Sequence, residues 1–246
     1  MHTWNASQYL KFSEERTQPC RDLAARIALD RPRRIIDLGC GPGNSTHVLA
    51  ERWPEAELTG LDSSAEMIAQ ARASYPERHW IADDIAEWAA GSDRHDNDRY
   101  NDVRYYDDRY EEPLYDLVFS NAALQWLPDH SGLLPKLLAR VCEGGALAVQ
   151  IPGNWDATAH CLMRKVAAQF PATENAREWF THDIDFYYDV LTPHAPRVEL
   201  WATEYIHVMD GPEGIVEWYK GTGMRPFLDL LAGDEERERF LSSYLE

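Results

Sequence analysis

Long apolar runs are missing from this chain of 246 residues. No stretch approaches the roughly 20 residues that a membrane helix needs. The opening Met1-His2-Thr3-Trp4-Asn5 has neither the basic start nor the apolar stretch of a secretory signal. Cysteine is sparse as well: Cys20, Cys40, Cys142 and Cys161 stand far apart with no CxxC pair. That spacing argues against a disulfide framework and a cysteine zinc site, and predicts free thiols in a reducing cytoplasm. Basic charge is in deficit, with 24 lysines and arginines against 42 acidic residues and a net charge of −18. Nucleic acid is therefore a poor partner, since binding a polyanion needs a basic surface. The charge of a small substrate stays open, because a pocket can gather a few arginines against the global field. The 9 histidines show no metal-ligand spacing such as HExxH, so no metal is expected. No Ser-His-Asp or Cys-His pairing stands at a meaningful spacing, which points away from a hydrolase.

What is present is a 44% hydrophobic composition, enough for one sizeable α/β domain with a cap. Between Arg33 and Pro152, short apolar β-rich runs alternate with helical stretches. The runs are Arg34 to Leu38, Glu57 to Asp62, Trp80 to Asp83, Leu114 to Ser120 and Ala146 to Ile151. A capped helix is predicted from Ser63 to Ala73 and another helix from Leu133 to Val141. Alternation at this spacing means βαβ units, a doubly wound and mainly parallel Rossmann-like sheet, and right-handed crossovers. Helices are expected between Ala6 and Ala28, Ala157 and Phe170, Gly211 and Trp218, and Pro226 and Leu231. Val198 to Met209 reads as a β-rich run that would extend the sheet. The expected organisation is a single domain: a helical cap over 1–30, a cofactor-binding core over 33–152, and a substrate cap with sheet completion over 153–246. Within the core, 93–112 repeats arginine every fifth position (Arg94, Arg99, Arg104, Arg109) among dense acidic residues, which marks a solvated insertion.

The chemistry concentrates at strand ends. Asp37-Leu38-Gly39-Cys40-Gly41-Pro42-Gly43-Asn44 closes the first strand and opens a helix. Its glycines let the backbone turn sharply and approach a ligand at the carboxyl edge of a parallel sheet. A dinucleotide fingerprint needs a sixth-position glycine where this chain has Asn44, and no Gly-Lys-Ser/Thr follows for a phosphate loop. Asp37 suits a ligand with a cationic amino-acid end and would repel a pyrophosphate. Asp62, closing the second strand, is placed to accept from ribose hydroxyls, with Ser63 beside it. Asp84, preferred over Asp83, and the Ile85 amide are placed to meet an adenine. Asn121 ends the fourth strand near the reacting atoms. Gln125 and Trp126 follow it as positioning candidates, and no catalytic group is assigned.

These residues resemble the class I S-adenosylmethionine-dependent methyltransferases, and within them the enzymes that esterify trans-aconitate. The similar stretches are Trp4-Asn5 through Tyr9-Leu10-Lys11-Phe12 to Glu15-Arg16, Asp37 to Thr46, Asn121 to His130, Leu147 to Pro152, Val216-Glu217-Trp218 and Gly221 to Pro226. The glycine motif marks only the superfamily, whereas Leu124-Gln125-Trp126-Leu127-Pro128-Asp129-His130 and the Thr222-Gly223-Met224-Arg225-Pro226 stretch are more specific. The resemblance implies S-adenosyl-L-methionine as cofactor, held by Asp37, Gly39, Asp62, Asp84 and Asn121; Gly41, Asn44, Ser63 and Ile85, beside them, complete the expected cofactor-binding set. It also implies a small carboxylic acid as methyl acceptor, with Arg16 and Arg225 as candidates for its carboxylates and Tyr9, Trp155 and Lys220 as lesser ones. A guanidinium fork fits a carboxylate bidentately. Direct in-line attack by an ionised carboxylate would need no general base. Another acceptor, or a protein that binds the cofactor without catalysis, remains an alternative, while the residue at Asn44 opposes a dehydrogenase. Two departures from the resemblance are the insertion and a final antiparallel strand expected to be missing after Leu245-Glu246.

Overall fold

The computed structural model describes residues 12–91 and 114–246. The charged repeat expected over 93–112 and the candidate Tyr9 lie outside the described residues. The chain divides into two compact units, one formed by Thr17–Ile151 and His182–Glu199, the other by 12–16, Pro152–Thr181 and Leu200–Glu246.

The first unit is built on five strands: β1 (Arg34–Leu38), β2 (Glu57–Asp62), β3 (His79–Ala82), β4 (Tyr115–Asn121) and β5 (Val141–Gln150). They run in the order β3-β2-β1-β4-β5, and every pairing is parallel. Five helices belong with them: α1 (Ser13–Arg26, continuing from the other unit), α2 (Asn44–Arg52), α3 (Ala65–Ser74), α4 (Ile85–Ala90) and α5 (His130–Leu138). A sixth, α7 (Ile184–Leu191), packs on α5. Helices on both faces bury the central strands twice over, which is why β1 and β4 read as continuous apolar runs rather than alternating ones. Ile35, Leu117 and Phe119 pack with Cys20, Leu23 and Leu49 on one face. Ile36, Leu38 and Val118 pack with Trp88, Leu134 and Leu137 on the other. Each such side chain taken fully from water contributes about 1.5–3 kcal/mol.

Polar residues set where these helices begin. The Ser64 hydroxyl accepts the Met67 amide at 3.3 Å and starts α3, so the cap is Ser64 and not Ser63. Asp84 starts α4, accepting the Ala86 and Glu87 amides at 2.7 and 3.2 Å. Asp129, at φ 56°, starts α5 by accepting the Gly132 amide at 3.0 Å. The helix expected to reach Val141 stops at Leu138, and β5 takes over there. Gly144, at φ 79°, carries a register shift between Tyr115↔Val141 and Leu117↔Ala146. The order of strands reverses between β1 and β4. Their carboxyl ends therefore open the crevice where α/β sheets hold ligands.

The second unit contains α6 (Thr158–Ala167), α8 (Pro212–Lys220), α9 (Arg225–Leu228) and α10 (Asp234–Leu245). Its core gathers Met163, Val166, Phe170, Met224, Phe227, Leu231 and Phe240. The run Val198–Met209 forms no strand, which corrects the expected sheet extension. A partly alternating pattern becomes a strand only beside a neighbour that takes its hydrogen bonds, and none of the described strands pairs with this one. Ile206 and Val208 are accordingly 84% and 94% exposed.

Candidate functional site

The glycine loop sits where β1 ends. Gly39, Gly41 and Gly43 all have positive φ, at 71°, 54° and 95°, a region that side chains with a Cβ rarely enter. Two of them also lack room: a Cβ on Gly39 would fall on the Cβ of Ala123, and one on Gly43 would lie 2.8 Å from Trp80 Cη2. Gly41 differs, because a Cβ there would meet nothing within 4 Å. The loop thus packs against the protein at both ends and turns its middle residue to open space.

Asp37 lies beneath this loop with no solvent exposure. Its Oδ2 accepts the Ser45 and Thr46 hydroxyls at 2.6 and 2.7 Å, while Oδ1 is buried without a hydrogen-bond partner. Burial, helped to a lesser extent by the nearby Asp62 charge, pushes its pKa up to about 6 against those two hydroxyl bonds. Asp62 braces the loop from β2. Its Oδ2 accepts the Gly41 amide at 3.0 Å and its Oδ1 accepts the Ser64 amide at 2.8 Å. Each oxygen keeps a second lone pair. Asn44 is the first residue of α2, half-buried, and Ser63 is exposed beside Asp62.

Beyond β3, Asp83 Oδ1 accepts the Asp84 amide at 2.9 Å. Asp84 uses Oδ1 to cap α4, so its other oxygen is the one left for a ligand. Ile85 opens that helix, where the backbone amide has no acceptor within the helix. At the end of β4, Asn121 Oδ1 is buried and unpartnered. The next residue, Ala122, is held at φ 52°, and its amide donates to the Gln150 carbonyl at 3.0 Å. Gln125 is 3% exposed; its Nε2 donates to the Ala122 carbonyl at 2.7 Å and its Oε1 has no partner. Trp126 closes the same 3₁₀ turn, half-buried.

Sequence reasoning passed over two things here. His130 is fully buried, and its Nε2 meets the Leu124 carbonyl at 2.8 Å while Nδ1 meets the Tyr187 hydroxyl at 3.0 Å. A carbonyl can only accept, so Nε2 carries the proton and the tyrosine donates to Nδ1. Burial holds the imidazole below the usual histidine pKa, in keeping with a neutral ring. This clamp fixes the turn that carries Gln125. Gln150, the last residue of β5, also has a buried and unpartnered Oε1. The available signal was a polar residue ending an apolar strand, the same signal that marked Asp62 and Asn121.

Four substrate candidates belong to the second unit. The Arg16 guanidinium donates to the Trp218 carbonyl at 2.8 Å and lies against the rings of Phe12 and Trp218. It rests on Gly221, where a Cβ would come within 3.1 Å of its nitrogens. Lys220 pairs with Glu217 at 2.6 Å. Trp155 packs with Trp179 and His160. Gly223 provides room for the buried His160, since a Cβ there would reach its Cε1 at 2.7 Å. Burial lowers the His160 pKa to about 4. The Gly221-Thr222-Gly223 turn therefore seats an arginine and a histidine with its two glycines, a purpose its sequence did not disclose. Arg225 heads α9, exposed, with Asp229 at 3.4 Å.

A glycine loop at the switch point, a carboxylate ending β2 and acceptor oxygens without donors make an α/β protein whose sheet edge suits a nucleoside with a cationic tail. A family model described as a methyltransferase domain matches residues 12–192. The trans-aconitate 2-methyltransferase of Azoarcus sp. is 44% identical, the match covering 99% of this chain and 88% of that protein. That of Rhodopseudomonas palustris (strain BisA53) is 43% identical, covering 99% and 89%. In fold, the chain is similar to a methyltransferase solved with the Trm112 activator of Haloferax volcanii, at TM-score 0.54 and 16% identity, covering 77% of this chain and 72% of that one. The chain belongs to the S-adenosylmethionine-dependent methyltransferase family.

The residues present fit that cofactor. The buried, donor-less Oδ1 of Asp37 suits an ammonium, the open side of Gly41 admits a close ligand, and the spare lone pairs of Asp62 suit two hydroxyls.

Proposed function

We propose that this chain transfers the methyl group of S-adenosylmethionine to a carboxylate of trans-aconitate, giving a monomethyl ester. The observation that carries this reading is the 44% identity, over 99% of the chain, to a trans-aconitate 2-methyltransferase. When bound, the cofactor supplies an electrophilic methyl on a sulfonium.

The chain's own residues have positioning work. Asp37, Gly39, Gly41 and Asn121 hold the amino-acid end, Asp62 with Ser63 the ribose, and Asp84 with the Ile85 amide the base. Gln125 and Trp126 border the reacting end on a turn clamped by His130. Arg225 and Arg16 meet carboxylates of the acid, with Trp155 and Lys220 in support. An acceptor carboxylate, with a reference pKa of about 4, is ionised at neutral pH and asks no side chain to remove a proton. Orientation of the two reactants then becomes the main catalytic task, worth roughly 7–11 kcal/mol in favourable cases. Among the described residues no helix is long and apolar enough to cross a membrane. All four cysteines are free, which supports a reducing cytoplasm as the setting.

Release of S-adenosylhomocysteine with trans-aconitate, set beside cis-aconitate, isocitrate and citrate, tests this reading. Turnover strongest with trans-aconitate is expected. Preference for another of these acids would move the chain to a different acceptor.

A further inference from the structure

Three acceptor oxygens without donors share one face of the sheet at its carboxyl edge. The register places Ile35, Leu117 and Ala146 in one row, and Asp37, Phe119 and Ala148 in the next on the same face. Asn121 and Gln150 pair two residues further on. Alternation along a strand therefore turns Asp37, Asn121 and Gln150 to that face as well. The lower rows are sealed by Cys20, Leu23 and Leu49, and with Asn121 and Gln150 the apolar packing gives way to polar side chains. Asn121 Oδ1 and Gln150 Oε1 in that row, and Asp37 Oδ1 one row below, are all buried and unpartnered. A buried polar atom left unsatisfied is costly, and native structures leave few of them. Three on neighbouring strands at the ligand edge call for a ligand that brings donors. An ammonium brings three donors and no acceptor.

We propose that Gln150 is a cofactor-binding residue whose side-chain carbonyl joins those of Asn121 and Asp37 in accepting the three N–H bonds of the cofactor's ammonium. This rests on the reading of S-adenosylmethionine as cofactor and extends its site to β5. The set is selective by charge. Asp37 is its one carboxylate and the two amides are neutral, so a single cation balances it. Acceptor oxygens also repel a carboxylate, which keeps the acidic methyl acceptor from occupying the ammonium's place. Ser45 and Thr46 hold the other oxygen of Asp37 and so fix the direction of Oδ1.

Calorimetry with two nucleosides tests the assignment without turnover. S-adenosylhomocysteine carries the ammonium, and 5′-methylthioadenosine carries the same nucleoside without the amino-acid end. Gln150→Leu is expected to weaken S-adenosylhomocysteine about tenfold to hundredfold, the range for a hydrogen bond to a charged group, and to leave methylthioadenosine unchanged. Gln150→Glu keeps an acceptor and is expected to hold S-adenosylhomocysteine at least as tightly as the parent. Equal weakening of both nucleosides by Gln150→Leu would mark a packing defect and overturn the proposal, as would no weakening of either. Should Gln150→Leu fail to fold, loss of S-adenosylhomocysteine binding in a folded Gln150→Glu overturns it alone. Failure of the parent protein to bind S-adenosylhomocysteine sinks the cofactor reading itself, a result distinct from binding that Gln150 does not influence.

Discussion

Replacing Asp37 by asparagine should make the cofactor-free protein more stable and its cofactor site worse. Asp37 has no solvent exposure, and burial lifts its pKa from 3.8 to about 6. A carboxyl whose pKa is raised on folding binds its proton more tightly in the folded state. Its stabilising contribution is complete below the unfolded value and is lost as pH rises through the folded one. The gap corresponds to about 3 kcal/mol at 1.36 kcal/mol per unit, so the ionised carboxylate costs the fold that much at pH 8. At pH 5 the same linkage leaves roughly half of the cost. Asparagine keeps a carbonyl for the Ser45 and Thr46 hydroxyls and cannot ionise. The variant should therefore melt roughly 6–12 °C higher at pH 8 for a chain of this size, with a smaller gain at pH 5. Calorimetric affinity for S-adenosylhomocysteine should fall about tenfold or more, because a charge-assisted bond to the ammonium is lost. Equal melting temperatures at pH 8, or the same gain at both pH values, would show that the buried carboxylate does not destabilise the fold on ionising.

The loop glycines should separate in their behaviour. Gly39→Ala adds a Cβ onto Ala123 in a left-handed conformation, and should lower the melting temperature and abolish cofactor binding together. Gly41→Ala meets no protein atom, so its folding cost should stay near the 1–2 kcal/mol of left-handed strain while S-adenosylhomocysteine affinity falls. Unchanged affinity there would remove the cofactor from this side of the loop. Asp62→Ala frees the Gly41 and Ser64 amides and should weaken S-adenosylhomocysteine at least about tenfold, two hydroxyl bonds to a charged group being lost; tight binding would reassign the ribose contact. Arg225 is exposed, so Arg225→Ala should shift stability within about 0.5 kcal/mol and raise KM for the acid with kcat and S-adenosylhomocysteine affinity held. A fall in kcat at constant KM would contradict its role in binding the acid.

The sheet was legible because its signals are local. Arg34 to Leu38 and Glu57 to Asp62 are β1 and β2 at the predicted limits, each a buried run stopped by an acidic or glycine-rich end. The start of β5 was not legible: Val141-Cys142-Glu143-Gly144-Gly145 joins the sheet through a bulge that depends on β4, not on its own apolar pattern. Val198 to Met209 failed for the opposite reason, a strand-like pattern that none of the described strands pairs with. Candidate residues at strand ends could be named one by one, but their local duties could not. Asp84 is a helix cap, and Asp62 ties down the loop. His130 and His160 escaped because a histidine becomes informative only through its neighbours. Those neighbours, Tyr187 for the first and Trp179 and Tyr219 for the second, lie far along the chain. The guanidinium of Arg16 shows the same limit, since its seat on Gly221 is made some two hundred residues later.

Identification of the product tests methyl transfer to the acid most directly. The protein is incubated with trans-aconitate and S-adenosylmethionine labelled on its methyl group, and the acid is recovered for mass spectrometry and base hydrolysis. One labelled methyl is expected on the acid, released as methanol by base, as an ester requires. An unlabelled acid, recovered from protein shown by calorimetry to bind S-adenosylmethionine, would contradict that transfer.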